Sequence, residues 1–225
     1  RYADEFELPR VVFVNKMDRD IANFSRAVGE LGKAFDTEAV ALFIPIGSGE
    51  NFTGVVDLIK MKAYAFHNGK AEESDIPSEI MPEAEEYRKK LVEKIAESDD
   101  TLLEKYLEGS GLSDEEIIKG VREGSLTRRF IPVTCGSAIR NIAIPQLLDT
   151  ILLCLPSPVE MARLSPIKGK NTKDKKEVER KPSKTEPMSA YVFKTIADPY
   201  AGKLSVFRVY SGALRADSNV LNTST

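Results

Sequence analysis

Residues 10–18 read Arg-Val-Val-Phe-Val-Asn-Lys-Met-Asp, and this stretch predicts the fold. The apolar, β-branched residues up to Val14 are typical of a parallel strand that is covered on both faces. A polar turn begins at Asn15. After the turn, apolar residues recur at nearly helical spacing, at Ile21, Phe24, Val28 and Leu31. A strand, a loop and a helix in this order predict an α/β fold, in which ligands bind at the carboxyl end of the strand.

The composition is that of an ordinary globular protein. The 225 residues are 42% hydrophobic and 30% charged, and 32 basic against 35 acidic residues give a net charge of -3. This balance creates no general attraction to nucleic acid or anionic membrane, so neither DNA nor a membrane is a predicted partner. No apolar run approaches the roughly 18 residues that span a bilayer. Cys135 and Cys154 lack a metal-ligand spacing, and we expect buried free thiols, which suit a reducing cytoplasm.

A β-rich region and then a helical region follow the first helix. Strand character is found at 40–46, 52–61 and 63–66, and Asn68-Gly69 is a candidate hairpin turn. The pattern of 82–107 is helical with a break at 98–100, and Ser113 begins a further helix as a capping box. Residues 131–134 then predict a second short buried strand, and 147–155 an apolar helix.

Asn15, Lys16, Met17 and Asp18 fit the pattern Asn-Lys-x-Asp at the end of the first strand. Guanine presents two adjacent donors, N1–H and the 2-amino group, which the single carboxylate of Asp18 can accept. Adenine lacks this pair, and a site built on such bonds rejects an analogue by about 10⁴- to 10⁵-fold. The apolar stem of Lys16 can cover the ring face, and Asn15 can brace the loop through backbone groups. An ordinary polar turn is the alternative interpretation.

A second loop follows the second strand. Its small residues, Gly136, Ser137 and Ala138, allow backbone N–H groups to approach a ligand closely. An N–H near Ala138 can donate to the O6 acceptor of guanine. The two loops together therefore predict a guanine pocket.

Five segments of the chain resemble the elongation factor G family of translational GTPases, in order and with suitable gaps. They are residues 9–19, 52–58, 133–138, 155–159 and 207–212, so the resemblance covers essentially the whole chain. It implies that Asn15, Lys16 and Asp18 match the guanine-specificity motif of the family. Ser137 and Ala138 match its second base-contacting loop.

The fold class implied by the resemblance is α/β, with part of a P-loop GTPase-type parallel sheet. Residues 1–160 correspond to the C-terminal part of the GTP-binding domain, in which 36–129 form an inserted α+β subdomain. The segment 161–187 is predicted to be a linker or mobile loop, because 165–187 hold seven Lys and one Arg against four acidic residues. Residues 188–225 correspond to the first strands of a β-barrel domain II.

The resemblance also implies partners. In this family the inserted subdomain is implicated in contact with the ribosomal stalk protein. Here 71–108 hold thirteen acidic and five basic residues, which form either such a contact surface or merely solvated helix faces. The basic run 168–184 can meet rRNA through phosphates, but it lacks interleaved aromatic residues and a flexible linker is the favoured interpretation.

No Gly-x-x-x-x-Gly-Lys-[Ser/Thr] loop occurs in the 225 residues. We therefore expect both ends of the chain to be cuts within a longer protein, whose preceding part holds the phosphates of GTP or GDP and the Mg²⁺ ion. No catalytic or metal-binding residue is assigned, and His67, the sole histidine, is expected at the surface. The complete protein is expected to be a cytoplasmic GTPase that promotes ribosomal translocation of tRNA and mRNA, and this part alone to be inactive.

Two alternatives stay open. One is a non-catalytic module that binds a guanine nucleotide or the ribosome, and the other is a different translational GTPase, such as a ribosomal protection or release factor. The second loop also departs from the family pattern, because 139–143 lack the glycine that usually stands there. The start of the following helix is therefore not predicted by the resemblance.

Overall fold

The structure is a computed structural model that describes residues 2–67, 70–97, 99–171 and 174–223, without the side chain of His67. Contacts divide the chain into two compact units, Arg1–Leu155 and Pro156–Thr225. Within the described ranges, no helix is both long enough and apolar enough to cross a membrane. The predicted Asn68-Gly69 turn lies outside the described residues, although the strands on either side of it pair antiparallel.

The first unit contains six helices and seven strands in its described residues. The helices are α1 (Tyr2–Glu5), α2 (Phe24–Ala34), α3 (Met81–Ala96), α4 (Asp100–Leu107), α5 (Asp114–Leu126) and α6 (Ile144–Cys154). The strands are β1 (Val12–Val14), β2 (Ala39–Ala41), β3 (Phe43–Ile46), β4 (Gly54–Asp57), β5 (Lys62–His67), β6 (Lys70–Ser74) and β7 (Ile131–Cys135).

The strands that precede the two predicted base-contacting loops, β1 and β7, are direct neighbours. They belong to a three-stranded sheet of order β1-β7-β2, in which β7 is central, parallel to both partners and buried along its whole length. The register joins Val14 to Cys135, so the last residues of β1 and β7 lie side by side. The loops that follow these two strands therefore start next to each other.

The predicted strand character of 40–46 is confirmed, but the run forms two strands, a division that the pattern did not indicate. Leu42 divides the run, so that β2 pairs with β7 while β3 belongs to an antiparallel sheet of order β3-β4-β5-β6. The N–H of Leu42 donates to Val133 O at 2.8 Å, and its carbonyl accepts from Leu58 N at 3.0 Å. A continuous buried run carries no signal of where the pairing partner changes.

Capping residues set the helix boundaries. Asn23 accepts from Arg26 N at 2.8 Å and starts α2 at Phe24, so Ile21 is 95% exposed and lies outside the helix in which it was predicted. The predicted break in the long helix is confirmed, because Asp99 caps the start of α4. The predicted capping box at Ser113 is also present at the start of α5.

The core of the first unit is one cluster, to which the antiparallel sheet and the helices α3 and α5 contribute buried side chains. Its fully buried members include Phe52, Val55, Val56, Leu58, Leu91, Ile95, Ile117 and Val121. Burying a side chain of this kind contributes about 1.5–3 kcal/mol each. The strands β1 and β7, which precede the two loops, are therefore supported by a well-packed core.

The second unit contains α7 (Pro158–Leu164), β8 (Ile167–Lys170), β9 (Glu177–Arg180), β10 (Ser189–Asp198) and β11 (Gly202–Ser211). Regular structure thus occupies part of 161–187, where composition predicted a linker. The strands β8 and β9 pair antiparallel, and Lys168 and Glu177 form an exposed ion pair across the hairpin at 3.0 Å. The capping box at Ser157 starts α7, which the contacts place in this second unit. Within 174–223, β10 and β11 form a hairpin and no barrel closes.

Candidate nucleotide-binding site

Backbone hydrogen bonds join the two predicted loops where they leave the parallel sheet. Gly136 N donates to Val14 O, and Met17 N donates to Gly136 O, each at 3.1 Å. A Cβ on Gly136 would lie 2.5 Å from Ile142 O and 2.9 Å from the Phe13 ring. Only glycine fits at this point without a shift of its neighbours, and the loops are held in contact there.

Asn15 braces both loops with one oxygen. Its Oδ1 accepts from its neighbour Lys16 N at 2.8 Å and from Ala138 N, 123 residues away, at 3.0 Å. The predicted bracing role therefore includes a bond across the two loops. The Ala138 N–H, which was predicted as a donor to guanine O6, donates to Asn15 in this structure. Contact with O6 requires this N–H to be shared or redirected.

Asp18 carries a carboxylate oxygen that no protein group satisfies. The side chain is partly exposed, but its Oδ1 is enclosed and has no hydrogen-bond partner among the described residues. The Ser137 hydroxyl is the main cause of a pKa of Asp18 below its usual range, and the nearby charges of Arg19 and Arg140 act in the same direction. Asp18 is therefore an ionised acceptor at neutral pH with capacity for a donor from a ligand.

Lys16 is exposed and adopts a left-handed backbone conformation, with φ of 63°. For a residue with a Cβ this conformation costs roughly 1–2 kcal/mol. A turn closes around it, because Arg19 N donates to Lys16 O at 3.1 Å. The turn leaves the long stem of Lys16 at the surface, where it can lie along a flat ring.

Met17 anchors the first loop in the core. Its side chain is 1% exposed and lies in the core. Its N–H donates to Gly136 O, and its carbonyl accepts from Gly49 N at 3.0 Å. Met17 is therefore a member of the predicted motif that holds the loop in place rather than contacting a base.

The second loop closes on itself. Ser137 is fully buried and exchanges backbone bonds with Ile142, at 3.1 and 3.0 Å, and its Oγ accepts from Arg140 N at 3.3 Å. Two residues other than glycine then take left-handed conformations, Asn141 with φ of 54° and Ala143 with φ of 62°. They make the turn for which family members usually have a glycine, and α6 starts directly afterwards.

Sequence reasoning missed one contributor, Gly49, which lies in the turn between β3 and β4 and bonds to Met17. The pair Gly47 and Gly49 marks that turn in the sequence, but nothing there indicates that it reaches the first loop. Residues on three separate segments thus form the site.

The residues present fit a guanine base but not its phosphates or a metal. The orphaned Asp18 Oδ1 offers an acceptor for the base, whereas no phosphate-cradling loop occurs in the sequence. Among the described residues, no three His, Cys, Asp or Glu side chains cluster closely enough to hold a metal ion. Cys135 and Cys154 are buried free thiols, and burial raises the pKa of each, to about 12 for Cys154.

Comparison with known proteins agrees with this geometry. Residues 1–157 match the family described as "Elongation factor Tu GTP binding domain", and residues 187–225 match "Elongation factor G domain 2". Over 228 aligned residues the chain is 42% identical to elongation factor G from Aquifex pyrophilus. The match covers 100% of this chain and 32% of that protein. The resemblance inferred from the sequence is therefore confirmed.

A solved structure shares the fold. A crystal structure of a Thermus thermophilus protein matches with a TM-score of 0.74 and 30% sequence identity, covering 93% of this chain and 28% of that one. The predicted mixed α/β class with a parallel sheet is confirmed. The chain spans less than a third of the length of either relative.

Proposed function

Since the chain belongs to the elongation factor Tu GTP-binding domain family, we propose that it is the guanine-recognising part of a translation elongation factor of the elongation factor G type. The observation that carries this proposal is the ionised Asp18 carboxylate with an enclosed, unsatisfied oxygen beside Ser137. An unsatisfied acceptor in a folded protein needs a partner, and the N1–H and 2-amino donors of guanine supply two.

Each site residue has a distinct role in this proposal. Asp18 accepts from the guanine edge, Lys16 covers one ring face, and Ala138 provides a backbone donor for O6. Asn15, Met17 and Ser137 hold these three in position. The bonds from Asn15 Oδ1 to both loops and the bonds of Met17 to Gly136 and Gly49 support this division.

The complete protein is proposed to be a cytoplasmic GTPase that promotes translocation of tRNA and mRNA on the ribosome. GTP and GDP are its ligands, and the phosphates and Mg²⁺ are held by residues outside these 225, because no Gly-x-x-x-x-Gly-Lys-[Ser/Thr] loop is present. The 225 residues alone should be unable to hydrolyse GTP. Detection of Mg²⁺-dependent phosphate release by this purified chain would contradict that statement.

The ribosome is the proposed partner, through the stalk protein and rRNA. Residues 36–129 are proposed as the inserted subdomain that contacts the stalk, which the similarity to elongation factor G supports. Residues 1–160 are proposed as the C-terminal part of the GTP-binding domain and 188–225 as the start of domain II. The match to elongation factor G domain 2 over 187–225 supports the second boundary.

A base-specificity switch tests the role of Asp18. Asp18→Asn in the complete protein should weaken GTP binding by about 100-fold or more, because the amide cannot accept both guanine donors. The same change should strengthen binding of xanthosine triphosphate, whose 2-oxo group can accept from the amide. The affinities are measured by displacement of a fluorescent nucleotide.

The control is Asp36→Asn, which makes the same chemical change at an exposed position. It should leave both affinities within about twofold of the unsubstituted protein. An Asp18→Asn protein that folds and still prefers GTP to the same degree would refute the proposed guanine contact.

A further inference from the structure

We propose that Gly49 is a positioning residue for guanine recognition, which acts by holding the loop that carries Asp18. The inference rests on the proposed function and adds a third segment, the β3–β4 turn, to the two base-contacting loops. That turn lies inside 36–129, so a region remote from the base in sequence contributes to base selectivity.

The first loop needs support because it is strained. Lys16, two residues before Asp18, is held at φ of 63°, where few residues with a Cβ are found. A strained conformation persists only when the surrounding bonds fix it. Met17 makes two such bonds through its backbone, one from Gly49 N at 3.0 Å and one to Gly136 O at 3.1 Å.

The β3–β4 turn is rigid enough to act as a support. It is closed by bonds from Asn51 N to Ser48 O and from Phe52 N to Gly49 O, each 3.1 Å. The fully buried ring of Phe52 fixes the turn to the core. Gly47 allows the tight closure, since a Cβ there would lie 2.1 Å from Asn51 O. These contacts orient the Gly49 N–H towards Met17 O without any bound ligand.

A side chain at position 49 would strain the turn that holds the first loop. Gly49 has φ of 60°, a conformation that residues with a Cβ rarely adopt. A Cβ there would also touch the segment that directly follows Asp18, at 3.3 Å from Asp20 Oδ1, 3.4 Å from Asp20 Cα and 3.7 Å from Arg19 O. Relief of this strain shifts the Gly49 N–H relative to Met17 O, and with it the loop that orients the Asp18 carboxylate.

The position of Asp18 can be measured by the selectivity between two ligands. Inosine diphosphate differs from GDP only in lacking the 2-amino group, so the ratio of the two affinities reports on the contact between that group and Asp18. A uniform loss of folded protein weakens both ligands equally and leaves the ratio unchanged. The ratio therefore separates positioning from general stability.

The experiment measures this ratio in the complete protein by competition with a fluorescent nucleotide. Gly49→Ala should lower the ratio by roughly three- to tenfold, because a hydrogen-bonding group that is displaced loses most of its selectivity. The matched control is Gly111→Ala. Gly111 also has a left-handed backbone, with φ of 69°, but a Cβ there has nothing within 4 Å. The control carries the same backbone strain and should keep the original ratio.

A second pair of variants covers the case in which Gly49→Ala does not fold. Phe52→Leu shortens the side chain that anchors the turn and should lower the ratio about two- to threefold. Phe130→Leu removes the same atoms from another buried ring, just before β7 at the end away from the site, and should not change the ratio. Equal ratios in the Phe52 and Phe130 variants would overturn the inference.

Asp18→Asn distinguishes failure of this inference from failure of the proposed function. If Asp18→Asn leaves the GDP-to-inosine-diphosphate ratio unchanged, the guanine contact itself is wrong. If Asp18→Asn collapses the ratio while Gly49→Ala and Phe52→Leu preserve it, Asp18 contacts guanine and Gly49 does not position it.

Discussion

The two loops of the site are held in different ways. The first, residues 15–18, depends on groups far away in the sequence, because Met17 is bonded to Gly136 and Gly49, and Asn15 is bonded to Ala138. The second, residues 137–143, is closed mainly by its own bonds, from Ser137 to Ile142 and from Asn141 to Ala138. The loop that reads the base can therefore be disturbed from distant positions, whereas the second responds mainly to changes within itself.

Gly136→Ala should disturb both loops at once and so remove the difference between them. Its Cβ meets Ile142 O at 2.5 Å and the Phe13 ring at 2.9 Å, so backbone or a buried ring must move. We expect a loss of about 3 kcal/mol in the free energy of unfolding, measured with urea. Gly29→Ala, a helical position where a Cβ meets nothing within 4 Å, should instead stabilise by roughly 0.5–1 kcal/mol. Equal effects would refute the close packing at Gly136.

Substitutions of Asp57 test how much the antiparallel sheet that carries the Gly49 turn contributes to stability. Asp57 ends β4, the strand that follows the Gly49 turn, and its Oδ1 accepts from Ile59 N at 2.8 Å and Lys60 N at 3.0 Å. Asp57→Ala should cost about 2 kcal/mol in unfolding free energy, because the buried N–H of Ile59 and the partly buried N–H of Lys60 lose their acceptor. Asp57→Asn keeps an acceptor oxygen and should cost much less at pH 7.

The pKa of Asp57 determines the direction in which stability should change with pH, and Asp57→Asn tests it. Desolvation raises the pKa of Asp57, although the bonds from Lys60 and Ile59 oppose the shift. The folded state then binds more protons than the unfolded state between the usual and the raised pKa, so this group makes stability fall as pH rises through that window. Asp57→Asn should remove this slope. A stability curve above pH 4 with the same slope in both proteins would contradict it.

Asn15→Ala tests the side-chain bond that joins the first loop to Ala138 in the second. Without Oδ1, the Ala138 N–H loses its acceptor, and its hydrogen exchange should accelerate about five- to tenfold. The Ser137 N–H, bonded to Ile142 O within the same loop, is the internal control and should exchange at its original rate. Equal acceleration of both amides would show that the second loop is not closed locally.

The smallest effect is expected at the start of α6. Ala143 is left-handed, with φ of 62°, and stands at the N-cap position of the helix, where it makes no side-chain capping bond. Ala143→Gly removes the strain but increases the freedom of the unfolded chain, so the net gain should be about 0.5 kcal/mol in urea unfolding. A clear loss of stability would mean that the buried methyl group of Ala143 contributes more than the strain costs.

The order of strand, polar turn and helix around the first loop could be predicted from sequence. The apolar run ending at Val14, followed by a polar turn, predicts a buried strand with a ligand site at its end, and this requires only local spacing. The strand is present, but its residues are half-buried because β1 lies at the edge of the described sheet, and the ligand site stays a prediction. The capping signals at Ser113 and Asp99 were also local, and both are confirmed. The division at Leu42 was missed, because the change of pairing partner depends on residues far along the chain.

The sequence alone determined the two short apolar strands β1 and β7 and the polar groups of the loops that follow them. The parallel pairing of these strands is a finding of the structure. Residue type determines which hydrogen-bond donors and acceptors a side chain can offer to a base. An apolar run can be recognised from neighbouring residues alone. Only the tertiary structure decided that Met17 anchors the first loop, that Asn15 occupies the Ala138 N–H, and that Gly49 joins the site. Each of these bonds uses a backbone N–H whose partner lies tens of residues away. A backbone N–H is the same group at every position except proline, so the sequence does not mark which one will bond.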